Sequence, residues 1–501
     1  MPSIAVFLFI VLPWLNPFSP GPSPAVMPWL VTLGSLAFVL LGAARVRLAD
    51  VAASAWLAAA LISALLGLLQ YFGATAVFGP WVNSTGMGEA FANLRQRNLF
   101  ATLTNIGLAA LLWWVAESQS APAAAGDASR AVARSWQPAV SVAAALLLGL
   151  GTAASSSRTG MVQLVLLLAL AFMWGSWRQS AIRRVLIVAA LAYAVAAFAL
   201  PLLAGLDSRA TGILARLHEQ TPACASRLTL WANVLHLIAQ KPWFGWGWGE
   251  LDYAHFITLY PGPRFCDILD NAHNLPLHLA VELGVPVAVA VCGGGLWWVW
   301  RAKPWRERNA TRQMAWAVLA VILLHSLLEY PLWYGPFQMA FGLCLWLLWR
   351  APDRPSGQSD SFKLLTLALS VGTAIFLIAI SGYAAWDYHR VSQIYLTPKM
   401  RSEAYRDNTL QKVGGSWLFQ DQVHFAELTT TPVTVDNAAH INDLAKDLLH
   451  FSPEPRVIEK LIESAVLLGR DDEALFYLVR YQAAFPENHA RWARKNAQRI
   501  M

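Results

Sequence analysis

Apolar runs close to the length that crosses a bilayer recur along most of this sequence, and nothing else in it constrains the fold as strongly. A hydrocarbon core about 30 Å thick takes about 20 helical residues to span, and backbone there has no water to bond with, so such runs form helices. They fall at 4–17, 25–43, 51–72, 99–116, 138–154, 160–175, 185–205, 273–299, 314–329, 335–350 and 363–385. With 56% of the 501 residues hydrophobic and 13% charged, the expected fold class is an all-α polytopic membrane protein. About eleven transmembrane helices are expected, with a large outer loop and a helical C-terminal domain. The first run, from Ile4 to Leu15, is short, but it lacks the basic flank and small-residue cleavage site of a signal peptide and is read as a first helix.

Positive charge orients the helices, because Lys and Arg crowd the short loops that stay in the cytoplasm. Alternate loops hold Arg45 and Arg47; Arg130 and Arg134; Arg178, Arg183 and Arg184; Arg301, Lys303, Arg306, Arg308 and Arg312; and Arg350, Arg354 and Lys363. The opposite short loops hold only Arg95, Arg97 and Arg158. The N-terminus is therefore expected inside, with the loop 206–272 and the tail 386–501 outside. The net charge of +7 is a topology signal, and no nucleic-acid partner is needed to explain it. The domains are read as 1–385, including the loop, and 386–501, where Ser452-Pro-Glu-Pro455, Gly469 and Pro486 punctuate a helical hairpin of tetratricopeptide flavour.

Ionisable groups at the outer boundary are the functional candidates, since each costs stability near hydrocarbon. Arg97 stands in Leu94-Arg-Gln-Arg-Asn98, Arg158 in Ser155-Ser-Ser-Arg-Thr-Gly160, and Arg227 opens a segment with apolar residues at helical spacing. Each is either a stray outer charge or part of a guanidinium cluster suited to a diphosphate. His273 lies where the polar stretch Asp267 to Asn274 runs into an apolar segment. It is either an interfacial cap or a base with an ordinary pKa near 6.5. The helix is expected to start at His273, capped by Asp270 or Asn271, and to run on to about 299. Asp267, Asp270 and His273 are spaced by three, a pattern open to a divalent metal, but capping accounts for the aspartates and no metal or cofactor is assigned. His325 and Glu329 stand four apart, on one face of a helix, and either bond to each other or face a substrate. Gly245-Trp-Gly-Trp-Gly249 reads as aromatic turns, either interfacial or lining a sugar cleft. Cys224 and Cys266 share the outer loop and can pair in an oxidising periplasm, whereas Cys292 and Cys344 lie within spans.

Five elements together carry a resemblance: Gln96-Arg-Asn98, Ser157-Arg-Thr-Gly160, the Trp-Gly-Trp-Gly stretch, Asn271-Ala-His-Asn-Leu275 with Glu282-Leu-Gly284, and His325-Ser-Leu-Leu-Glu-Tyr-Pro331. The chain resembles bacterial protein O-oligosaccharyltransferases of the PglL type, within the wider group of O-antigen ligases and Wzy-type polymerases. The resemblance implies a GT-C-like membrane fold in the bacterial inner membrane. It also implies metal-independent, en bloc transfer of an oligosaccharide from a polyprenyl diphosphate to Ser or Thr of an acceptor protein, for example pilin-like, at the periplasmic face. On this footing His273 is the catalytic residue and Arg97, Arg158 and Arg227 bind the donor. Gln96, Asn98, Asn274, Glu282, His325, Glu329 and Tyr330 are further substrate contacts. The expected partners are the lipid-linked glycan, the acceptor protein and membrane lipid. An O-antigen ligase or a polymerase would share the His-Asn-Leu element. A transporter is the rival of a different class, though no inverted repeat is visible.

Overall fold

The computed structural model describes residues 2–120, 128–207, 211–218, 222–349 and 360–500, and among these all regular structure is helical. The chain runs through α1 (Pro2–Leu15), α2 (Val26–Ala43), α3 (Leu48–Tyr71), α4 (Arg97–Ser120), α5 (Ala128–Ala154), α6 (Arg158–Met173), α7 (Ser180–Leu203) and the short α8 (Gly212–His218). The stretch between α8 and α11 holds α9 (Arg227–Gln240) and α10 (Leu251–Ile257). Then come α11 (Leu275–Leu283), α12 (Val285–Ala302), α13 (Ala310–Ser326), α14 (Gly335–Trp349) and α15 (Asp360–Ser392). The tail is α16 (Thr409–Val413), α17 (Gln420–Thr430), α18 (Ala438–Leu449), α19 (Pro455–Leu467), α20 (Asp471–Ala484) and α21 (Pro486–Ile500).

Helix is present at every apolar run, and among the described residues seven helices are long and apolar enough to cross a membrane: α2, α3, α4, α5, α7, α12 and α15. Three more, α1, α6 and α14, are apolar but shorter. This is the architecture of a polytopic membrane protein. The run 273–299 is not one helix, because Gly284 breaks it into α11 and α12. Arg350 and Arg354, expected in an inner loop, lie outside the described residues.

The chain divides into two compact units. The first takes in residues 1–19, 23–219 and 299–382. Its centre is α4, the most deeply buried of the candidate spans, which packs against α3, α5, α6 and α13. Without a hydrophobic drive between helices in lipid, close approach of small residues supplies the attraction. A Cβ on Gly107 would stand 2.3 Å from the Ala60 Cβ, and one on Gly149 would stand 2.5 Å from the Ala189 carbonyl oxygen.

The second unit takes in 20–22, 220–298 and 383–501, so residues 220–272 cluster with the tail. Phe256 of α10 enters the tail core with Leu444, Leu448, Ile458, Leu461 and Tyr481. Arg480 Nε donates to the Ile257 carbonyl at 2.7 Å, and Tyr253 stacks on His450 with ring centres 3.9 Å apart. His450 also meets Glu250 at 2.7 Å. Buried Asp387 fixes the start of the tail by accepting from the Ser416 hydroxyl at 2.8 Å and from the Trp417 and Leu418 amides, both at 3.2 Å.

Candidate functional site

The candidate residues fall into both units, and each group is built by its own unit. In the second unit His273 sits in a left-handed backbone conformation, φ 50°. For a residue with a Cβ this costs roughly 1–2 kcal/mol and persists only when the surroundings over-determine it. Three hydrogen bonds do so. The His273 amide donates to Asn271 Oδ1 at 2.9 Å, Trp231 Nε1 donates to the Ala272 carbonyl at 3.1 Å, and the Leu277 amide donates to Asn274 Oδ1 at 3.1 Å. Helix α11 therefore starts at Leu275, and its cap is Asn274, not Asp270 or Asn271. Asn274, expected at substrate, is committed through its oxygen to the helix start. His273 is left half-buried just before it.

At the other end of α11, Gly284 (φ 88°, ψ 159°) occupies a region open essentially to glycine alone. A Cβ there would stand 2.2 Å from the Trp243 carbonyl oxygen, and one on Gly245 would stand 2.2 Å from that of Glu282. Backbone meets backbone here. Trp246 and Gly247 amides donate to the Val281 and Glu282 carbonyls at 2.9 and 3.0 Å, and the Val285 amide donates to Pro242 at 2.8 Å. The Gly-Trp-Gly-Trp-Gly stretch is thus a clamp on the helix break. Trp246 turns inward and donates to Leu237 at 3.0 Å, while Trp248 stays exposed. Glu282 is buried, with its carboxylate 3.4 Å from His278 Nε2 one helical turn earlier.

The loop behind this turn is stapled. Cys224 and Cys266 form a disulfide with Cα atoms 5.2 Å apart, and Cys292 and Cys344 stay free. A crosslink over a sequence separation of 42 contributes about 4 kcal/mol in the chain-entropy account. His255 Nε2 faces the Phe265 carbonyl at 3.2 Å, which makes it the donor and leaves Nδ1 to accept from the Tyr260 hydroxyl at 2.8 Å. Burial, reinforced by the Arg264 guanidinium, pushes His255 down to about 3. Burial, with the nearby Glu250 and Asp270 carboxylates adding to it, pushes Asp252 up to about 7. Arg227 opens α9 at an exposed position, with Ser226 as its cap.

In the first unit Gln96 caps α4, its Oε1 accepting from the Leu99 amide at 2.8 Å. Arg97 pairs with Glu89 at 3.1 Å in a partly exposed bridge. Arg158 is exposed and donates to the Arg216 carbonyl. Asn98 lies between two partners: the Ser157 hydroxyl donates to its Oδ1 at 2.6 Å, and its Nδ2 donates to Glu329 Oε1 at 3.3 Å. One turn on, Thr102 Oγ1 meets His325 Nδ1 at 2.8 Å, and Gln163 Nε2 donates to Thr102 at 2.9 Å. Helix α13 ends at Ser326, short of Glu329, but the Glu329 amide still donates to the His325 carbonyl at 2.8 Å, and both side chains meet α4. Tyr330 follows in the turn and stacks on Tyr334 at 6.0 Å. Thr102 and Gln163 were not singled out from sequence; polar residues inside apolar runs were the available signal.

Among the described residues no three His, Cys, Asp or Glu side chains gather as a metal would need.

Three family models match successive parts of the chain: "Protein glycosylation ligase" at 90–115, "O-Antigen ligase" at 143–292, and "Virulence factor membrane-bound polymerase, C-terminal" at 313–499. A General O-oligosaccharyltransferase of Acinetobacter baylyi is 25% identical over 368 residues, 70% of this chain and 58% of the relative. The chain thus matches less than two thirds of that relative's length. No solved structure matches significantly. The turn carrying His273 lies inside the O-antigen ligase match and the Gln96-Arg-Asn98 helix start inside the glycosylation-ligase match, and by these matches the chain is similar to the O-antigen ligase and protein O-oligosaccharyltransferase group.

Proposed function

We propose that this protein is a membrane glycosyltransferase that moves an oligosaccharide en bloc from a polyprenyl diphosphate to a Ser or Thr hydroxyl of an acceptor protein, at the periplasmic face of the bacterial inner membrane. The observation that carries the reading is His273, a strained and over-determined histidine at the mouth of α11. The matches to a protein glycosylation ligase family and to an O-oligosaccharyltransferase support the reaction class.

In the proposed reaction the acceptor oxygen attacks the anomeric carbon, the bond from that carbon to the diphosphate breaks, and the hydroxyl proton passes to His273. The leaving group departs as an anion, so stabilising its charge and aligning the acceptor are the main tasks. Arg97, Arg158 and Arg227 take the first task. The Arg97–Glu89 bridge is partly exposed, so its carboxylate is cheaply exchanged for diphosphate oxygens. Asn98, Glu329 and His325 are held by hydrogen bonds within the first unit and keep the start of α4 in place. Eleven crossings with an inner N-terminus put the outer loop and the tail on the donor side.

A second reading has its own support: the ligase and polymerase matches, at 143–292 and 313–499, fit a lipid-linked or lipid A core acceptor instead. The test is expression with a lipid-linked glycan pool beside pilin-like acceptors and a lipid A core acceptor, followed by mass spectrometry. Glycan on a Ser or Thr in the wild type, absent with His273→Ala, is expected. Glycan on lipid alone would move the assignment to the second reading.

A further inference from the structure

We infer that the first unit carries a binding site for an anionic phospholipid of the cytoplasmic leaflet, in a cleft between α4, α6 and α13 that the transfer chemistry does not use. The cleft is shallow and open to the surface, and its empty space of about 430 Å³ includes the solvent at its mouth. Its walls run from Ala109 to Ala116 on α4, from Leu167 to Trp174 on α6 and from Ala310 to Ala317 on α13. Each wall is two helical turns, about 10 Å, which is most of one leaflet of a hydrocarbon core about 30 Å thick. Small side chains at the ends of two walls open the gap, and the lining is almost wholly apolar. A cleft of that shape takes the upper methylenes of an acyl chain.

The mouth supplies the headgroup end. Ser176 and Ile182 line the cleft, and exposed Arg178 and Arg183 lie two residues and one residue beyond them, with Arg184 next. Trp174, at the lip, donates through Nε1 to the Pro304 carbonyl at 2.7 Å, which ties the turn carrying exposed Arg306 and Arg308 to the same mouth. Among the described residues Glu117 and Glu307 are acidic groups at this end, and Glu307 is engaged by Arg312 at 2.7 Å. Apolar walls beneath a basic rim fit a diacyl phospholipid with a net negative phosphodiester headgroup, and discriminate against zwitterionic lipid. Positive-inside bias alone would supply the arginines but not the cleft.

The experiment is native mass spectrometry of the full-length protein, released from nanodiscs that hold equal phosphatidylglycerol and phosphatidylethanolamine. Wild type is expected to retain phosphatidylglycerol in preference. The Arg178→Gln/Arg183→Gln pair is expected to lose about five-fold in that preference per guanidinium removed. Ala171→Phe, which fills the cleft, is expected to abolish retention with all arginines present. Should Ala171→Phe not fold, Ala116→Leu at the half-buried edge of the wall replaces it. Equal retention of the two lipids by wild type overturns the site. So does undiminished retention in a folded, cleft-filled variant, which would reduce the arginines to a basic surface. Glycan transfer, measured separately, reads the functional proposal and is not required for this one.

Discussion

His273 carries two separable properties, a side chain for chemistry and a backbone in a conformation that L residues disfavour. Replacing it by Ala should lower transfer on the order of 10²–10⁴-fold while the strain remains. His273→Gly should lower transfer equally yet unfold at higher temperature than His273→Ala, since glycine takes positive φ without penalty; equal melting temperatures would count against the strain. Arg227→Ala should impair donor use, and Arg227→Lys should rescue only part of it because an ammonium cannot form the bidentate fork. Steady-state kinetics against donor concentration checks this. Asp252 gives a pH signature. Its folded carboxyl titrates near 7, far above its value in an unfolded chain, so burying its charge opposes folding above that pH and the opposition fades as pH falls through 7. Asp252→Asn should therefore raise the melting temperature by about 2–4 °C per kcal/mol recovered at pH 8 and by less at pH 5. His255 has the opposite sign: its depressed pKa keeps the loop stable above about 6.5 and withdraws that stability as pH falls toward 3.

Among the elements, α11 is the one whose ends matter most. Nine residues cannot cross a membrane, so α11 acts as a bracket, with Asn274 fixing its start and the 242–247 turn clamping its end. The two glycines that face each other across that clamp leave no room for a Cβ. Gly284→Ala should cost about 1–3 kcal/mol in backbone strain and more from the contact with Trp243, read as a loss of melting temperature in detergent and a fall in transfer. The long apolar run to 299 outweighed the Gly284 and Pro286 signals, because a single glycine in a helical pattern is a weak stop.

For the whole molecule, α10 and the tail share one core around Phe256 and Tyr481, so residues far apart in sequence pack into one unit. The proposed topology places both outside. Reporter fusions after Arg308 and after Asn488 should report cytoplasm and periplasm respectively; the same side for both would overturn the eleven-crossing arrangement.

What the sequence determined by itself was the helical membrane class, because hydrophobic length is a property of local chain that any fold of it must honour. Cys224 and Cys266 were legible for the same reason, lying within one loop. Only the tertiary structure decided that His273 is strained, that Asn98 and Thr102 meet Glu329 and His325, and that residues 220–272 cluster with the tail. Each of those depends on which distant backbone or side chain fills the remaining hydrogen-bond or packing vacancy, and that partner is chosen by the close approach of whole helices.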